Sequence, residues 1–227
     1  MKRKITYLLY FLFINFFISL QFSAQITELF FSEYAEGSSN NKYLEIYNGT
    51  NATVNLDNYA FPNVSNAPTT PGQYEYWNTF PTGATIAPGD VYVIAHPSAD
   101  PAILAHADHT FNYLSNGDDG FALVSGGTHN DSDGDGNIDA GEMVGFALLD
   151  HIGNWAGDPG TGWDVAGVSN ATQNHTLVRK SSVTGPNPCW DQTCGNSSAG
   201  TNATDSEWIV YPIDTWTYLG SHSISSP

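Results

Sequence analysis

The sequence predicts an all-β fold, either a sandwich or a barrel. Short runs of β-branched and aromatic residues alternate with Gly, Pro, Asn, Asp, Ser and Thr, which are the residues that favour turns. Several short strands with turn signals between them are typical of these two architectures. Helix signals are scarce, and we expect one helical turn at Pro101 to His106.

The predicted strands are short, and the alternation of apolar and polar residues is clearest at 42–47. Leu44 and Ile46 fall on one face, while two tyrosines and Glu45 fall on the other. This pattern predicts a strand with one apolar and one more polar face. The other predicted strands are 26–34, 91–95, 121–124, 144–149, 176–179, 208–211 and 215–219.

The N-terminus has the features of a cleavable secretory signal in their usual order. Three basic residues at 2–4 precede an apolar run at 5–20, and small residues at 23–24 offer a cleavage site before Gln25. The apolar run is slightly short for a membrane span. We therefore expect residues 1–24 to be removed and the protein to be secreted or held at the cell surface, without stable membrane insertion.

One domain is predicted after the signal peptide. It spans residues 25–222, and it contains an insertion at 125–142 that is rich in Gly and Asp and poor in apolar residues. Residues 223–227 resemble a tail or the start of a linker. The sequence is therefore expected to be a fragment of a longer exported protein.

Removal of the signal leaves a strongly acidic chain. Of the six Lys and Arg residues only Lys42, Arg179 and Lys180 remain, against 23 acidic residues, so the formal charge is 3 − 23 = −20. Nucleic-acid binding needs cationic groups that replace the counterions of phosphates, and an anionic bilayer repels an acidic surface. This composition excludes nucleic acid as a partner and favours divalent cations.

The chain has two cysteines, Cys189 and Cys194, with four residues between them. In an exported protein such a close pair predicts a disulfide. A loop this short gains only about 2 kcal/mol from the cross-link, so the bond would fix a local loop.

One segment, residues 131–142, fits the twelve-residue EF-hand calcium loop at each diagnostic position. Ca²⁺ takes about six to eight oxygen ligands, and Gly136 at position 6 permits the sharp turn. Ile138 at position 8 is apolar and is expected to anchor the loop. The predicted ligands are the carboxylates of Asp131, Asp133, Asp135 and Glu142, the backbone carbonyl of Asn137, and Asp139 directly or through water.

The flanks of this loop do not predict the helix pair of a calmodulin-type switch. Residues 125–130 are Gly-rich and polar, and a strand-like run follows Glu142. We therefore expect a lone structural calcium site that orders a surface insertion. Without the ion its five carboxylates would repel one another, which predicts a disordered insertion. The alternative is a solvated acidic loop that binds no ion.

The chain lacks the common catalytic motifs Gly-x-Ser-x-Gly, His-Glu-x-x-His and a phosphate-binding glycine loop with Lys. His106 and His109 come nearest to a metal pair, but a surface loop rich in His and Asp is the simpler interpretation. Glu33, Glu36 and Glu45 could be imagined as an acid–base pair, although one sequence does not fix their separation. We predict that the protein is not an enzyme.

Three aromatic residues, Tyr74, Tyr76 and Trp77, lie in a polar stretch. They could form a platform on which sugars stack. They could equally be ordinary members of a β-sandwich core or a cross-strand ladder.

A set of stretches spread over most of residues 26–222 carries a family resemblance. These stretches are 29–48, 54–59, 80–95 with Ile86-Ala-Pro-Gly-Asp90 at its centre, 160–172, 175–180, Trp208 and 219–222. Together they resemble the lamin-tail domain in its exported bacterial form. The resemblance implies an immunoglobulin-like β-sandwich, and it offers no catalytic residues to carry over. The calcium-type loop departs from the family's core pattern and resembles an insertion particular to this branch.

The resemblance also implies a role. In nuclear lamins this domain is an interaction module, and the exported bacterial versions often accompany secreted hydrolases. We expect an exported, non-catalytic binding, adhesion or structural module with one structural Ca²⁺. The alternative is a carbohydrate-binding accessory domain of a secreted hydrolase. The partner would be a protein or a glycan at the cell surface.

Overall fold

A computed structural model describes residues 27–114 and 116–225. The signal peptide expected at 1–24 lies outside these residues. Within the described part there are fourteen strands, one short α-helix and two single-turn 3-10 helices, Leu56–Asn58 and Gln192–Cys194, which confirms the all-β prediction. The strands are β1 (Phe30–Glu36), β2 (Lys42–Tyr47), β3 (Val54–Asn55), β4 (Tyr59–Ala60), β5 (Asn63–Val64), β6 (Thr85–Ile86), β7 (Val91–Ala95), β8 (His109–Thr110), β9 (Gly120–Ser125), β10 (Thr128–His129), β11 (Met143–Val144), β12 (Ala147–Ile152), β13 (His175–Arg179) and β14 (Trp208–Pro212); the helix is α1 (Pro101–Leu104).

Two larger sheets face each other in a sandwich. The first has the strand order β14-β13-β1-β2-β7-β8, antiparallel except where β8 joins β7 in parallel. The second has the order β12-β9-β4, and β5 also pairs with β9. Leu44 and Ile46 of the first sheet share one buried cluster with Phe121 and Leu123 of the second. Burial of these apolar side chains between the sheets is the main favourable contribution to folding.

Several predicted strands have the observed bounds or nearly so, including 42–47 and 91–95. The first strand begins at Phe30 rather than at Ile26, and Ile26 itself lies outside the described residues. The run 144–149 is divided between β11 and β12, with Gly145 at a positive φ of 71° between them. A positive φ is accessible to Gly at little steric cost, so the chain turns there.

The strand predicted at 215–219 is wrong, because this segment forms turns. Leu219 is buried and Trp216 is partly buried, and both pack on the outer face of the first sheet. The segment buries its apolar residues by covering the sheet, and it does so without joining the hydrogen-bonded ladder. No helix in the described ranges is long and apolar enough to cross a membrane.

Both faces of the first sheet are therefore buried at β2, where the alternation in 42–47 predicted one more polar face. Every residue of β2 is buried. Its Leu44 and Ile46 belong to the core between the sheets, and Tyr43 packs in a second cluster with Ile103 of α1 and Leu219. Helix α1 begins with Asp100 as its N-cap, whose side chain accepts a hydrogen bond from the amide of Ala102 at 2.8 Å.

This covered outer face contains two buried carboxyl groups, Glu33 and Glu45, on neighbouring strands at the same register position. The Tyr43 hydroxyl donates a hydrogen bond to Glu33. Glu45 accepts from the Ser32 hydroxyl at 2.7 Å and from the amide of Gly220 at 2.6 Å. Burial raises the pKa of Glu33 to about 8, the bond from Tyr43 opposes the rise, and the nearby Glu45 adds to it.

A buried ion pair joins the two sheets. Arg179 of β13 and Asp150 of β12 have fully buried side chains, and their closest N–O distance is 3.0 Å. Asp150 also accepts the amides of Phe31 on β1 at 2.9 Å and of Asn187 at 3.1 Å. Arg179 donates a second bond to Glu207 at 2.6 Å. The carboxylate of Asp150 therefore binds three separate segments, through the side chain of Arg179 and the backbone amides of Phe31 and Asn187.

We expect the buried carboxyl of Glu33 to make stability depend on pH. Below the unfolded-state pKa of 4.5 both states hold the proton, and the stabilisation is complete. Between pH 4.5 and about 8 the folded protein keeps the proton while the unfolded chain loses it, so stability falls as pH rises through this window. The slope contributed by this group is up to about 1.4 kcal/mol per pH unit.

Urea unfolding of the unmodified chain and of Glu33→Gln across pH 4.5–8.5 measures this slope. As pH rises, Glu33→Gln should become more stable relative to the unmodified chain, because Gln has no proton to lose. The control Asn58→Ala changes an exposed residue without a titrating group and should show no such trend. A pH-independent difference between Glu33→Gln and the unmodified chain would contradict the assignment.

Candidate functional site

The acidic loop 131–142 lies at the tip of a small hairpin made by β10 and β11. The amide of Asn130 donates to the carbonyl of Glu142 at 2.8 Å, which closes the loop at its base. The hairpin belongs to the connection between β9 and β12, so both ends of the loop lead into the second sheet. A hairpin takes the place of the helix pair that flanks this type of loop in a calmodulin-like switch.

The first half of the loop is wound around its own carboxylates. Asp131 accepts the amides of Gly134 at 2.7 Å and Gly136 at 3.1 Å. Both glycines have positive φ, 81° and 80°. A side chain at either position would be strained, and Gly136 occupies the position that the pattern reserves for a sharp turn. Asp135 accepts both the backbone amide and the side-chain amide of Asn137, at 2.7 and 2.6 Å.

The second half is fixed by Glu142, whose side chain is 6% exposed. It accepts from the hydroxyl and the amide of Ser132, each at 2.7 Å, and from the amide of Asp139 at 3.1 Å. These bonds, first from the Ser132 hydroxyl and then from the two amides, lower the pKa of Glu142 to about 2. Glu142 is therefore ionised over the whole physiological range, as a metal ligand requires. Desolvation, then the charges of Asp135 and Glu142, raises the pKa of Asp139.

The loop brings oxygen ligands together in two overlapping groups. Carboxylate oxygens of Asp131, Asp133 and Asp135 lie within 4.8 Å of one another, and so do ligand atoms of His129, Asp131 and Glu142. These are the groups of three or more such side chains in residues 27–114 and 116–225. The acidic oxygen set fits a hard cation such as Ca²⁺. Of the predicted ligands, Asp131, Asp133, Asp135 and Glu142 belong to these groups, whereas the side chain of Asp139 does not, and His129 was not predicted.

Two residues near the loop were missed by the motif. His129 of β10 places Nε2 3.4 Å from Oε2 of Glu142, and its position just before the loop was the available signal. Tyr74, which is 2% exposed, accepts from the amide of Met143 at 2.6 Å and donates to the carbonyl of Asp139 at 3.1 Å. Nothing in the linear sequence links Tyr74 to a loop about 65 residues away.

A comparison with protein families identifies the family of the chain. The family model described as Lamin Tail Domain matches residues 23–139, which is just over half of the chain. The chain belongs to the lamin tail domain family. The predicted immunoglobulin-like β-sandwich is thereby confirmed together with the family. No curated protein and no solved structure gives a significant match. The match ends at residue 139, so the resemblance expected for 160–222 stays a prediction.

The chain contains the predicted disulfide. The sulfur atoms of Cys189 and Cys194 are 2.13 Å apart. The bond closes a short loop whose Trp190 is buried and packs near Trp208 of β14, with ring centroids 6.3 Å apart. The cross-link therefore fixes a local loop on the core, as the short spacing predicted.

The other candidate residues of this lamin tail domain are spread over different environments. Glu36 pairs with Lys42 at 3.0 Å. Of the three aromatic residues considered as a sugar platform, Tyr74 faces inward beneath the loop, and Trp77 is partly buried against Tyr74 and Phe146 at 5.1 and 5.3 Å. Tyr76 is 55% exposed. The three rings therefore do not share one exposed surface, which favours the alternative that Tyr74 and Trp77 are ordinary members of the packed interior.

Tyr76 instead lines a cleft of about 340 Å³ on another part of the surface. The cleft lies between the segment that follows β5 and the segment that precedes β9. Its walls combine aromatic rings with amide, hydroxyl and carboxylate groups. The lining residues are Asn63, Ser65, Tyr76, Asn78, Phe111, Tyr113 and Asp119.

We expect the hydroxyl of Tyr74 to hold the C-terminal half of the acidic loop in place. Tyr74→Phe removes the acceptor of the Met143 amide and the donor to Asp139, and loss of one such partner costs about 1–3 kcal/mol. Hydrogen exchange of the Met143 amide should therefore accelerate by about tenfold or more.

Tyr59→Phe is the matched control, since it also removes a hydroxyl bond, the 2.7 Å bond to Glu28. Exchange at Met143 should not change in this variant. Equal exchange rates at Met143 in Tyr74→Phe and in the unmodified chain would show that the loop does not depend on Tyr74.

Proposed function

We propose that this chain is an exported lamin tail domain of the bacterial type that serves as a non-catalytic binding, adhesion or structural module and carries one structural Ca²⁺. The observation that carries the proposal is the loop 131–142, where carboxylates are already gathered in two overlapping groups, within each of which the ligand atoms lie within 4.8 Å of one another. Immunoglobulin-like domains of this family are generally structural modules, which supports the non-catalytic part.

The ligands that would hold the ion are those of the loop pattern. Asp131, Asp133 and Asp135 would supply carboxylate oxygens, and Glu142 would supply a carboxylate from the opposite end of the loop. Asn137 would contribute its backbone carbonyl, and Asp139 would bind directly or through water. A bound cation would neutralise the repulsion among these groups and stabilise the hairpin tip. The ion's role would be structural, since the family offers no catalytic residues.

Export is supported by two features. The N-terminal sequence has the pattern of a cleavable signal, and the disulfide between Cys189 and Cys194 is of a kind that persists in oxidising compartments. The extracellular medium also supplies calcium at concentrations that suit a weak site of an extracellular module.

The contacts of the basic residues support a partner other than nucleic acid. Lys42 is paired with Glu36, and Arg179 is buried between Asp150 and Glu207. Lys180 donates to two backbone carbonyls of the domain itself. Each cation expected in the mature chain is thus engaged internally, and phosphates would meet an acidic surface. We therefore infer a protein or glycan partner at the cell surface.

Calorimetric titration with Ca²⁺ tests the metal site. The domain should bind one Ca²⁺ per chain, and Glu142→Gln should weaken the affinity at least about tenfold, because it removes a charged ligand from a small set. The control Asp90→Asn changes an exposed carboxylate outside the loop and should leave the affinity unchanged. Absence of any binding heat at millimolar Ca²⁺ would contradict the proposal.

A second readout tests the structural role of the ion. Chelation should make the segment 130–142 sensitive to proteolysis while the sandwich stays folded. Equal protease resistance with and without Ca²⁺ would show that the ion does not order the loop.

A further inference from the structure

Two exposed tyrosine side chains line the cleft between β5 and β9. Tyr76 is 55% exposed and Tyr113 is 71% exposed. The ring of Tyr113 packs edge-on against Phe111 at 5.5 Å, and Phe111 packs against the core residue Phe61 at 5.3 Å. Tyr113 is thus held against the core by its neighbour while most of its surface faces solvent. Folding gains little from such exposure, and clustered exposed rings are typical of a binding surface.

The polar side chains of the cleft are held in place by hydrogen bonds. Asn63 is 3% exposed, and its side-chain oxygen accepts from Asn78 at 2.8 Å, while Asn78 also donates to the carbonyl of Phe61 at 3.0 Å. Asp119 is 2% exposed and accepts the amides of Asn66 and Asn116, each at 3.2 Å. Buried side chains held by such bonds keep their orientation when a ligand arrives, which lowers the entropic cost of binding.

The chemistry of the lining selects the ligand. Amides and hydroxyls both donate and accept hydrogen bonds, and a carboxylate accepts them, so together they match the hydroxyl groups of a sugar. Aromatic rings match the apolar C–H face of a pyranose ring. A volume of about 340 Å³ is within the range of small-ligand sites and accommodates one or two sugar units.

The acidic character of the domain further restricts the class of sugar that the cleft can bind. The sequence carries 23 acidic residues, and Asp119 itself lines the cleft. The basic residues Lys42, Arg179 and Lys180 are engaged elsewhere in the fold. A uronic acid or a sulfated sugar would therefore be repelled at this site.

We propose that the cleft lined by Tyr76 and Tyr113 is a binding site for a neutral saccharide, such as the uncharged chain of a glucan, xylan or mannan. The inference rests on the proposed role as a non-catalytic binding module and supplies its partner class. None of the cleft residues belongs to the loop 131–142. Calcium binding and sugar binding can therefore fail separately.

The test uses calorimetry and NMR titration of the mature chain with cellohexaose, laminarihexaose, xylohexaose and mannohexaose. At least one of these neutral oligosaccharides should bind and shift the signals of Tyr76 and Tyr113. Tyr76→Ala and Tyr113→Ala should each weaken binding about tenfold, while Tyr76→Phe should retain most of it because the ring remains. Circular dichroism checks that each variant keeps the fold.

Two matched controls separate this site from the others. Tyr218→Ala removes an exposed ring that lies outside the cleft and is 42% exposed, and it should leave sugar affinity unchanged. Glu142→Gln should change calcium affinity and leave sugar affinity unchanged.

Three results would overturn the inference. One is the absence of binding by all four neutral sugars at millimolar concentration. Another is binding that persists undiminished in both alanine variants. The third is a preference for choline or for a hexaglucuronate over the neutral sugars, which would assign the cleft to a charged ligand.

Discussion

The buried pair of Arg179 and Asp150 is the contact on which the arrangement of the two sheets depends. Each charge would be costly to bury alone, and their mutual attraction offsets that cost only with good geometry and further hydrogen bonds. The structure supplies these bonds through the amides of Phe31 and Asn187 and through Glu207. Arg179 also lies over the ring of Trp208 at 4.6 Å. The two sheets and the loop before β14 are consequently fixed to one another at a single point.

The strand that carries Asp150 also connects the acidic loop to the core. Strand β12, which carries Asp150, follows the hairpin that holds the loop 131–142. A register irregularity in β12 lies between Leu148 and Asp150, and another in β1 lies between Phe31 and Glu33. Such irregularities re-aim side chains, and here they occur beside the contact between β1 and β12. One of the few cations of the chain therefore lies in the core, where it pairs with Asp150 and Glu207.

The sequence was informative where structure is local and less so where distant segments meet. Strands with strong patterns, such as 42–47, were predicted at their observed bounds. The approach of Asp131, Asp133 and Asp135 to one another could be predicted because these candidate ligands lie within one twelve-residue pattern. Two-residue strands such as β8 lack any pattern of their own. Buried Glu45 accepts a hydrogen bond from the amide of Gly220, which is distant in the sequence, and Tyr76 and Tyr113 line one cleft. No periodicity within one segment indicates such contacts.

A double-mutant cycle in urea unfolding tests most directly whether the buried pair holds the sheets together. Asp150→Asn and Arg179→Met should each destabilise the domain by about 3–5 kcal/mol, because each leaves its partner's charge buried without compensation. The double variant should cost clearly less than the sum of the two, by more than about 1 kcal/mol. Single losses below about 1 kcal/mol that add without coupling would contradict the account.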